Sequence, residues 1–272
     1  MASEPLQHLL ERGRDISGKM VEPAVPALDA VEEGMAQALA ADSQGTWDTE
    51  SWRRIGFEPY RVADRADIVA LVDQQERGAG LYFLRVENHR PVFVHIPHSF
   101  SDLDTLPIGV ALFDGLRARM LLVNSVHRRR GGPCEEGECA SDVAHGEGTF
   151  FHAVHRGAMG AHPQAVVVAV HGFRELDSDP DVIVSAAGTT ADAQGIARTL
   201  QAWIADYDVG TFPVDIGRLG GRSGIQARHL RASGGRMIHL ELSRAIRRAL
   251  LRDFDLRRRF VLALARAISE MP

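Results

Sequence analysis

The sequence predicts an α/β protein, and two observations support this. Several short runs are almost entirely apolar, for example Ala-Val-Val-Val-Ala-Val at 165–170. These runs alternate with longer stretches whose apolar residues recur at helical spacing. Strands that lack polar alternation are typically buried on both faces. We therefore expect a three-layer α/β/α sandwich around a mixed, mostly parallel central sheet.

The elements are expected in a simple order along the chain. Residues 1 to about 50 read as helical, most clearly over 26–40. Strands are predicted at 81–86, 92–96, 120–124, 165–170, 182–186 and 237–242, the first two as an antiparallel pair. Helices are predicted at 108–117, 149–159, 191–205 (capped by Thr190), 243–251 and 256–268. We accordingly divide the chain into a mostly helical extension or cap, 1–80, and an α/β domain, 81–272.

Composition excludes several classes of function. The 272 residues carry a net charge of −5, so no basic excess points to nucleic acid or to an anionic membrane. No apolar run is long enough to span a bilayer, and no secretory leader is recognisable, so we expect a soluble, cytoplasmic protein. Lys19 is the only lysine. A biased genome is one explanation for the many arginines. The functional alternative is that some of them line a pocket that binds carboxylates.

The two cysteines are too few for a disulfide framework. Cys134 and Cys139 flank Glu-Glu-Gly-Glu, a spacing that either closes a small loop or holds nothing. A thiolate metal site needs further soft ligands, which the neighbouring glutamates do not supply. We expect the pair to be incidental.

Three predicted buried strands end in residues that bind metals or move protons. His98 follows the strand at 92–96, His171 ends the strand at 165–170, and Glu241 lies in the last strand. Ligands of open α/β sheets gather beyond the carboxyl ends of strands. A single histidine in such a place is usually structural, but three endings of this kind indicate one site.

Two histidines and one carboxylate make a typical catalytic zinc set. Asp102 is our preferred oxygen ligand and Asp104 the alternative, and either one can instead cap the next helix. His95 alternates to the other face of its strand and suits a core or supporting role. Glu241 is the expected general base, because burial in an apolar strand raises a carboxyl pKa. Its structural alternative is an ion pair with Arg244.

A second cluster is cationic. His127-Arg-Arg-Arg follows a strand, Ser141-Asp-Val-Ala-His precedes a helix, and 218–235 is rich in arginine and glycine. Arginines beside glycines suit an anionic substrate group, although a charge run is usually a solvated face. Arg128 is the strongest candidate, because it lies soonest after its strand.

Taken in their order along the chain, these motifs resemble those of the zinc carboxypeptidase superfamily, and especially of its N-formylglutamate amidohydrolase-like branch. The resemblance covers about residues 90–252. It rests on Ile96-Pro-His-Ser, the Arg128 region, Ser141-Asp-Val-Ala-His, Ala169-Val-His-Gly and Gly234-Gly-Arg-Met-Ile-His-Leu-Glu-Leu-Ser. It departs from the superfamily pattern in two places. The first ligand lacks a His-x-x-Glu pair, and Asp142 and His145 stand where carboxypeptidases carry a paired Asn-Arg.

The resemblance implies Zn²⁺ held by His98, a nearby acid and His171, with Glu241 activating water. Arg128 would polarise the scissile carbonyl or hold a substrate carboxylate. Asp142, His145 and Arg222 are the candidates for further substrate contacts. The expected reaction is hydrolysis of an amide bond in an N-acyl amino acid, a γ-glutamyl amide or a peptide terminus.

Two other functions remain open from the sequence. A serine-type α/β hydrolase is suggested by Val170-His-Gly-Phe, which resembles an oxyanion strand, although no Gly-x-Ser-x-Gly occurs. A non-catalytic binding protein that keeps the fold without metal is the third possibility.

Overall fold

The computed structural model describes residues 1–14, 20–40, 48–129, 134–135, 138–176 and 179–271. Lys19 lies outside these ranges. The strands are β1 (Ala2–Glu4), β2 (Phe57–Val62), β3 (Arg65–Asp73), β4 (Leu81–Arg85), β5 (Arg90–Ile96), β6 (Ala118–Val123), β7 (Cys134–Glu135), β8 (Glu138–Cys139), β9 (Val166–Gly172), β10 (Val182–Ala186), β11 (Val209–Thr211) and β12 (Arg236–Leu242). The helices are α1 (Leu6–Arg14), α2 (Val25–Ala40), α3 (Thr49–Arg54), α4 (Thr105–Gly115), α5 (Phe150–Ala161), α6 (Thr190–Trp203), α7 (Ile225–Ser233), α8 (Arg244–Arg252) and α9 (Phe254–Glu270).

Ten of these strands form one mixed, mostly parallel sheet in the order β1-β2-β3-β4-β6-β5-β9-β12-β10-β11. Its centre, β6-β5-β9-β12, is parallel throughout, and antiparallel pairs flank it on both sides. Within the central strands nearly every residue is buried. The predicted α/β class is confirmed.

Alternate residues of the central strands supply two hydrophobic cores, one on each face of the sheet. Val92, Val94 and Ile96 of β5 pack with α4, α6, α8 and α9, as do Val166, Val168 and Val170 of β9. The residues between them, such as Phe93 and Val167, pack with α2, α3, α5 and α7. The molecule therefore has the three layers that the apolar strands predicted.

Residues 1–80 do not form a separate helical extension. They contain three helices but also β1, β2 and β3, which belong to the same sheet as the rest of the chain. The division predicted at residue 80 therefore runs through the sheet, between β3 and its antiparallel partner β4.

The predicted antiparallel pairing of the strands at 81–86 and 92–96 is wrong. The strand β6 lies between β4 and β5, antiparallel to the first and parallel to the second. A short polar turn permits a hairpin but does not require one, because β4 and β5 are buried on both faces and can accept other neighbours. The chain crosses from β5 to β6 through α4, as parallel strands require.

Helix ends follow local signals closely. Thr189, and not the expected Thr190, caps α6, in a capping box with Asp192. Ser243 accepts a hydrogen bond from the Ile246 N–H and caps α8. The helix α7 was not expected, because its surroundings at 218–235 read as an arginine- and glycine-rich loop. Its buried face consists of Ile225, Gln226, Ala227 and Leu230.

The expectation that the two cysteines are incidental is wrong for Cys139. Cys139 is disulfide-bonded. The backbones of Cys134 and Cys139 lie directly opposite each other across the two-stranded β7-β8 ribbon, so the segment between them forms a small loop, the alternative that the sequence left open. Among the described residues, no helix combines the length and the apolar character that crossing a bilayer demands.

Candidate active site

Strand register brings the three predicted strand endings to one place. In the parallel pair β9-β12, His171 is the Cα partner of Glu241. On the other side of β9, His95 is the partner of Ala169, and β5 runs on through Pro97 to His98. Because β5, β9 and β12 are adjacent and parallel, their carboxyl ends meet at one edge of the sheet. This is where ligands bind in open α/β sheets.

Three side-chain atoms converge at this edge. His98 Nδ1 lies 3.1 Å from His171 Nδ1. Asp102 Oδ2 lies 3.4 Å from His98 Nδ1 and 3.6 Å from His171 Nδ1. Tetrahedral zinc with ligand bonds of 2.0–2.1 Å separates its ligand atoms by about 3.3 Å. The three atoms are therefore close enough to one another to bind one zinc ion.

Asp102, the preferred oxygen ligand, is held in place by the main chain. Its Oδ2 accepts a hydrogen bond of 3.0 Å from the Gly172 N–H, at the end of β9. Burial by itself would raise the pKa of Asp102, but the bonds to His171 and His98 outweigh it and lower that pKa below its ordinary value. The carboxyl is therefore ionised, as a ligand must be.

Asp104, the alternative ligand, points elsewhere. It stands at the N-terminus of α4 with a φ of +73° and makes no side-chain capping bond. It lines a neighbouring cavity and does not belong to the three-atom cluster. The sequence alone could not separate the two aspartates, since they are two residues apart in one loop.

Asp142, expected to contact substrate, lies against His98 and does not line the cavity in front of the cluster. Its Oδ1 lies 2.8 Å from His98 Nε2, the ring nitrogen opposite the cluster. Burial by itself would lower the pKa of His98, but the bonds to Asp102 and Asp142 raise it. A carboxylate behind a ligating histidine fixes its tautomer and makes the ring a better donor. Asp142 is almost fully buried, so we assign it a positioning role.

Arg128 and His145 both reach the site, and Asp142 connects them. Arg128 Nη2 lies 2.9 Å from Asp142 Oδ2. His145 Nδ1 lies 3.4 Å from the same oxygen. Both residues line the cavity in front of the cluster. Arg222 does not line that cavity; it is exposed, and its carbonyl accepts a bond from Arg231.

Glu241 lies on the floor of the cavity, 8% exposed. Burial, reinforced by the negative charge of Asp102, raises the pKa of Glu241 to about 8. Its structural alternative, an ion pair with Arg244, is absent among the described residues: the Arg244 backbone N–H donates to Glu175 instead. A buried carboxyl that titrates near neutrality suits proton transfer.

His239 is a site residue that the sequence analysis missed. It lies two residues before Glu241 on the same face of β12, with Nε2 4.0 Å from Glu241 Oε1. Its ring centroid is 4.7 Å from that of His171. Gly221, with a φ of +59°, packs against this ring so closely that a Cβ would overlap it. The alternation His-x-Glu in an apolar strand was the available signal.

The cavity itself has a volume of about 270 Å³. Its walls come from the strand ends, from the loop before α5 and from the loop that leads into α7. Asn124 links two segments near the cavity: its Nδ2 donates to Pro97 O at 2.8 Å and to Val126 O at 2.9 Å. These bonds join the loop that carries His98 to the segment that leads to Arg128.

His95 lies under the cavity and not among the ligand atoms. Burial lowers its pKa to about 3, so the ring is neutral. It packs edge-on against Phe151 and His155 of α5, with centroid distances of 5.5 and 5.3 Å. His155 in turn contacts His229 of α7, with His155 Nε2 3.0 Å from His229 Nδ1. The core or supporting role expected for His95 agrees with this placement.

Comparisons with known proteins give structural likeness only. No family model and no curated protein matches the sequence. Among solved structures, N-formylglutamate amidohydrolase from Ralstonia eutropha JMP134 is similar at 14% identity with a TM-score of 0.47, covering 71% of this chain and 97% of that one. A zinc-free structure of YNDL is similar at 16% identity and a TM-score of 0.46, with 76% and 92% covered. A metallo-carboxypeptidase from Burkholderia cenocepacia follows at 10% identity and 0.40, with 74% and 60% covered.

Proposed function

We propose that this chain is a zinc-dependent hydrolase of amide bonds. The observation that carries the proposal is the convergence of His98 Nδ1, Asp102 Oδ2 and His171 Nδ1 at 3.1–3.6 Å from one another. Two imidazole nitrogens and one ionised carboxylate oxygen are a ligand set that suits zinc. When bound there, zinc would supply Lewis-acid chemistry, lowering the pKa of a water molecule and polarising a carbonyl oxygen.

Glu241 carries the proton in this proposal. As a carboxylate it accepts a proton from the attacking water, whose oxygen forms the new bond to the amide carbon. The carboxylic acid then gives that proton to the leaving nitrogen as the C–N bond breaks. A pKa near 8 allows the same group to serve in both steps at neutral pH.

Arg128 stabilises negative charge beside the reacting carbonyl. Its Nη1 lies 3.4 Å from His98 Nδ1, and its Nη2 is anchored on Asp142. A guanidinium fixed in this way needs little rearrangement when charge develops on the carbonyl oxygen. The substrate class that we infer is a small amide or a peptide end that carries a carboxylate.

Zinc content and hydrolysis, measured separately, test the proposal. Elemental analysis of the purified protein should find about one zinc per chain. His98→Ala and His171→Ala should each lose the metal, while His89→Ala, an exposed histidine on a turn, should keep it. Unchanged zinc in both ligand variants would remove the site. A chain that never holds metal would favour the non-catalytic binding protein.

Glu241→Gln separates binding from chemistry. It should retain zinc but lose hydrolysis of an N-acyl amino acid by at least a hundredfold, since general acid–base catalysis contributes about 10²–10⁴-fold. Gln has nearly the same shape but cannot carry the proton. Activity retained in this variant would exclude Glu241 from the mechanism.

One further arrangement favours a second candidate function, a serine-type hydrolase. Ser223 Oγ lies 3.4 Å from His145 Nε2, and His145 Nδ1 lies 3.4 Å from Asp142 Oδ2. Serine, histidine and aspartate in this order are the parts of a nucleophilic triad. Both distances exceed those of good hydrogen bonds, and Asp142 is bound more closely by His98 and Arg128. Labelling of Ser223 by a serine-directed phosphonate, lost in Ser223→Ala, would favour this function.

A further inference from the structure

A second cavity lies beside the candidate active site and is lined mainly by arginines. It has a volume of about 550 Å³. Gly172 and Phe173, which follow from the end of β9, line both cavities. The lining includes five arginines and only one acidic residue, Asp104. The five arginines are Arg174, Arg244, Arg247, Arg248 and Arg252.

Of these five arginines, Arg247 is acted on through space by nearby carboxylates, including Asp104 and Glu175. In the part of the chain that the structure describes, no salt bridge within 4 Å joins any of them to a carboxylate. Four of them are exposed at the cavity, and three of those lie on α8. The lining of the cavity therefore carries a large excess of positive charge.

Arg247 shows that the cavity is built and is not only a charged surface. It is 6% exposed, and its Nε has no hydrogen-bond partner. Its Nη1 donates to the carbonyl oxygens of Phe173 and Leu242, which fixes the guanidinium against Gly172. A Cβ on Gly172 would overlap this guanidinium. A buried cation with an unused donor costs free energy unless a ligand or a partner compensates it.

The arginine cavity adjoins the cavity that holds the cluster of His98, Asp102 and His171. Gly172, which touches Arg247 on one side, donates its N–H to Asp102 on the other. A substrate whose amide lies at the cluster therefore has the arginine cavity on the other side of the Gly172–Phe173 wall. Arginine forks bind carboxylate and phosphate oxygens in pairs, so several of them together favour a multiply charged group.

We propose that the arginine cavity binds a multiply charged oxyanion on the part of the substrate remote from the scissile amide. The shared chemistry is that of clustered carboxylates or a phosphoryl group. The assignment to substrate rests on the proposed function, but the anion site itself does not.

Direct binding of inorganic phosphate to the full chain as purified tests the site. Calorimetry at low ionic strength should detect binding, and Arg248→Gln/Arg252→Gln should weaken it at least tenfold. The matched control, Arg258→Gln/Arg259→Gln, removes the same charge from exposed positions of α9 and should change the dissociation constant less than twofold. Equal weakening in both double variants would mean a general charge effect and would overturn the site.

A third variant, Arg128→Gln, tests which of the two cavities binds the anion. Loss of phosphate binding in Arg128→Gln, with binding retained in Arg248→Gln/Arg252→Gln, would locate the anion in the active-site cavity and overturn the inference. Competition then distinguishes the two sources: tricarballylate displacing phosphate at lower concentration supports clustered carboxylates, whereas the reverse order supports a phosphoryl group.

Kinetics connect the site to substrate. For two N-acyl amino acids that differ only in a remote phosphate or carboxylate group, Arg248→Gln/Arg252→Gln should raise KM tenfold for the charged one and leave the other unchanged. Equal effects on both would remove the substrate assignment. If neither compound is hydrolysed by the unaltered protein, the proposed function fails while the phosphate titration still decides the site. If the uncharged compound is hydrolysed but phosphate does not bind, the inference fails and the function stands.

Discussion

The carboxylate of Asp142 should control how tightly His98 holds zinc. It lies behind the proposed ligand, 2.8 Å from His98 Nε2. Asp142→Asn leaves an oxygen that can accept from the ring N–H but removes the negative charge. Asp142→Ala removes both.

The expected size follows from the bond that is lost. A hydrogen bond to a charged group contributes about 1.5–3 kcal/mol, which corresponds to about a 10- to 150-fold change in an equilibrium constant. Carboxylates that orient ligating histidines contribute about 10–100-fold to metal affinity in other proteins. We therefore expect about tenfold weaker zinc binding in Asp142→Asn and about a hundredfold in Asp142→Ala.

Competition against a zinc-binding dye at neutral pH measures the affinity. Glu147→Gln is the matched control, because Glu147 lies in the same loop and is exposed, with only an ion pair to Arg228. Thermal unfolding of the metal-free proteins separates loss of affinity from loss of fold. Zinc affinity that is unchanged in both Asp142 variants, or equally weakened in Glu147→Gln, would refute the positioning role.

Two further predictions concern the face of the sheet that carries α5. Burial lowers the pKa of His155 well below its ordinary value, so the folded chain keeps it neutral while the unfolded chain protonates it below about pH 6.5. The stability due to neutral His155 is present above that pH and lost as the pH falls. In denaturant titrations with chelator present, His155→Phe should flatten the decline below pH 6.5 by about 1.4 kcal/mol per pH unit; an unchanged slope would contradict this. Gly157→Ala should lower the free energy of unfolding by about 1–3 kcal/mol, because its Cβ would overlap the backbone oxygen of Glu32 where α2 crosses α5. On the same helix, Gly160→Ala meets no atom within 4 Å and should stabilise by about 0.5–1 kcal/mol, so similar effects would disprove the close approach.

The meeting of His98, His171 and Glu241 at one edge of the sheet could be predicted because the strand pattern is local. Apolar runs such as 165–170 announce buried strands, and a histidine or glutamate at the end of such a run is costly unless it is used. Three endings were enough to indicate one edge of a parallel sheet. The structure then added the register, which places His171 opposite Glu241.

Other features depend on contacts that no local pattern encodes. The order β4-β6-β5 is a choice of neighbours among equally apolar strands. Asp142 reaches His98 across 44 residues of sequence, so its positioning role follows only from the fold. The helix α7 was hidden because its solvent-facing arginines and flanking glycines outnumber the few apolar residues that it buries. The arginine cavity likewise joins Arg174 to α8, which are far apart in the chain.

The N-terminal strands lower the tendency of the protein to aggregate. All five residues of β4 are buried, and β3 covers one edge of this strand along a five-residue ladder. A chain that began at residue 81 would present that edge unpaired, with apolar side chains on both faces. Such an edge is a template on which other chains add strands and aggregate. The first 80 residues thus protect the central sheet from self-association, whatever else they contribute.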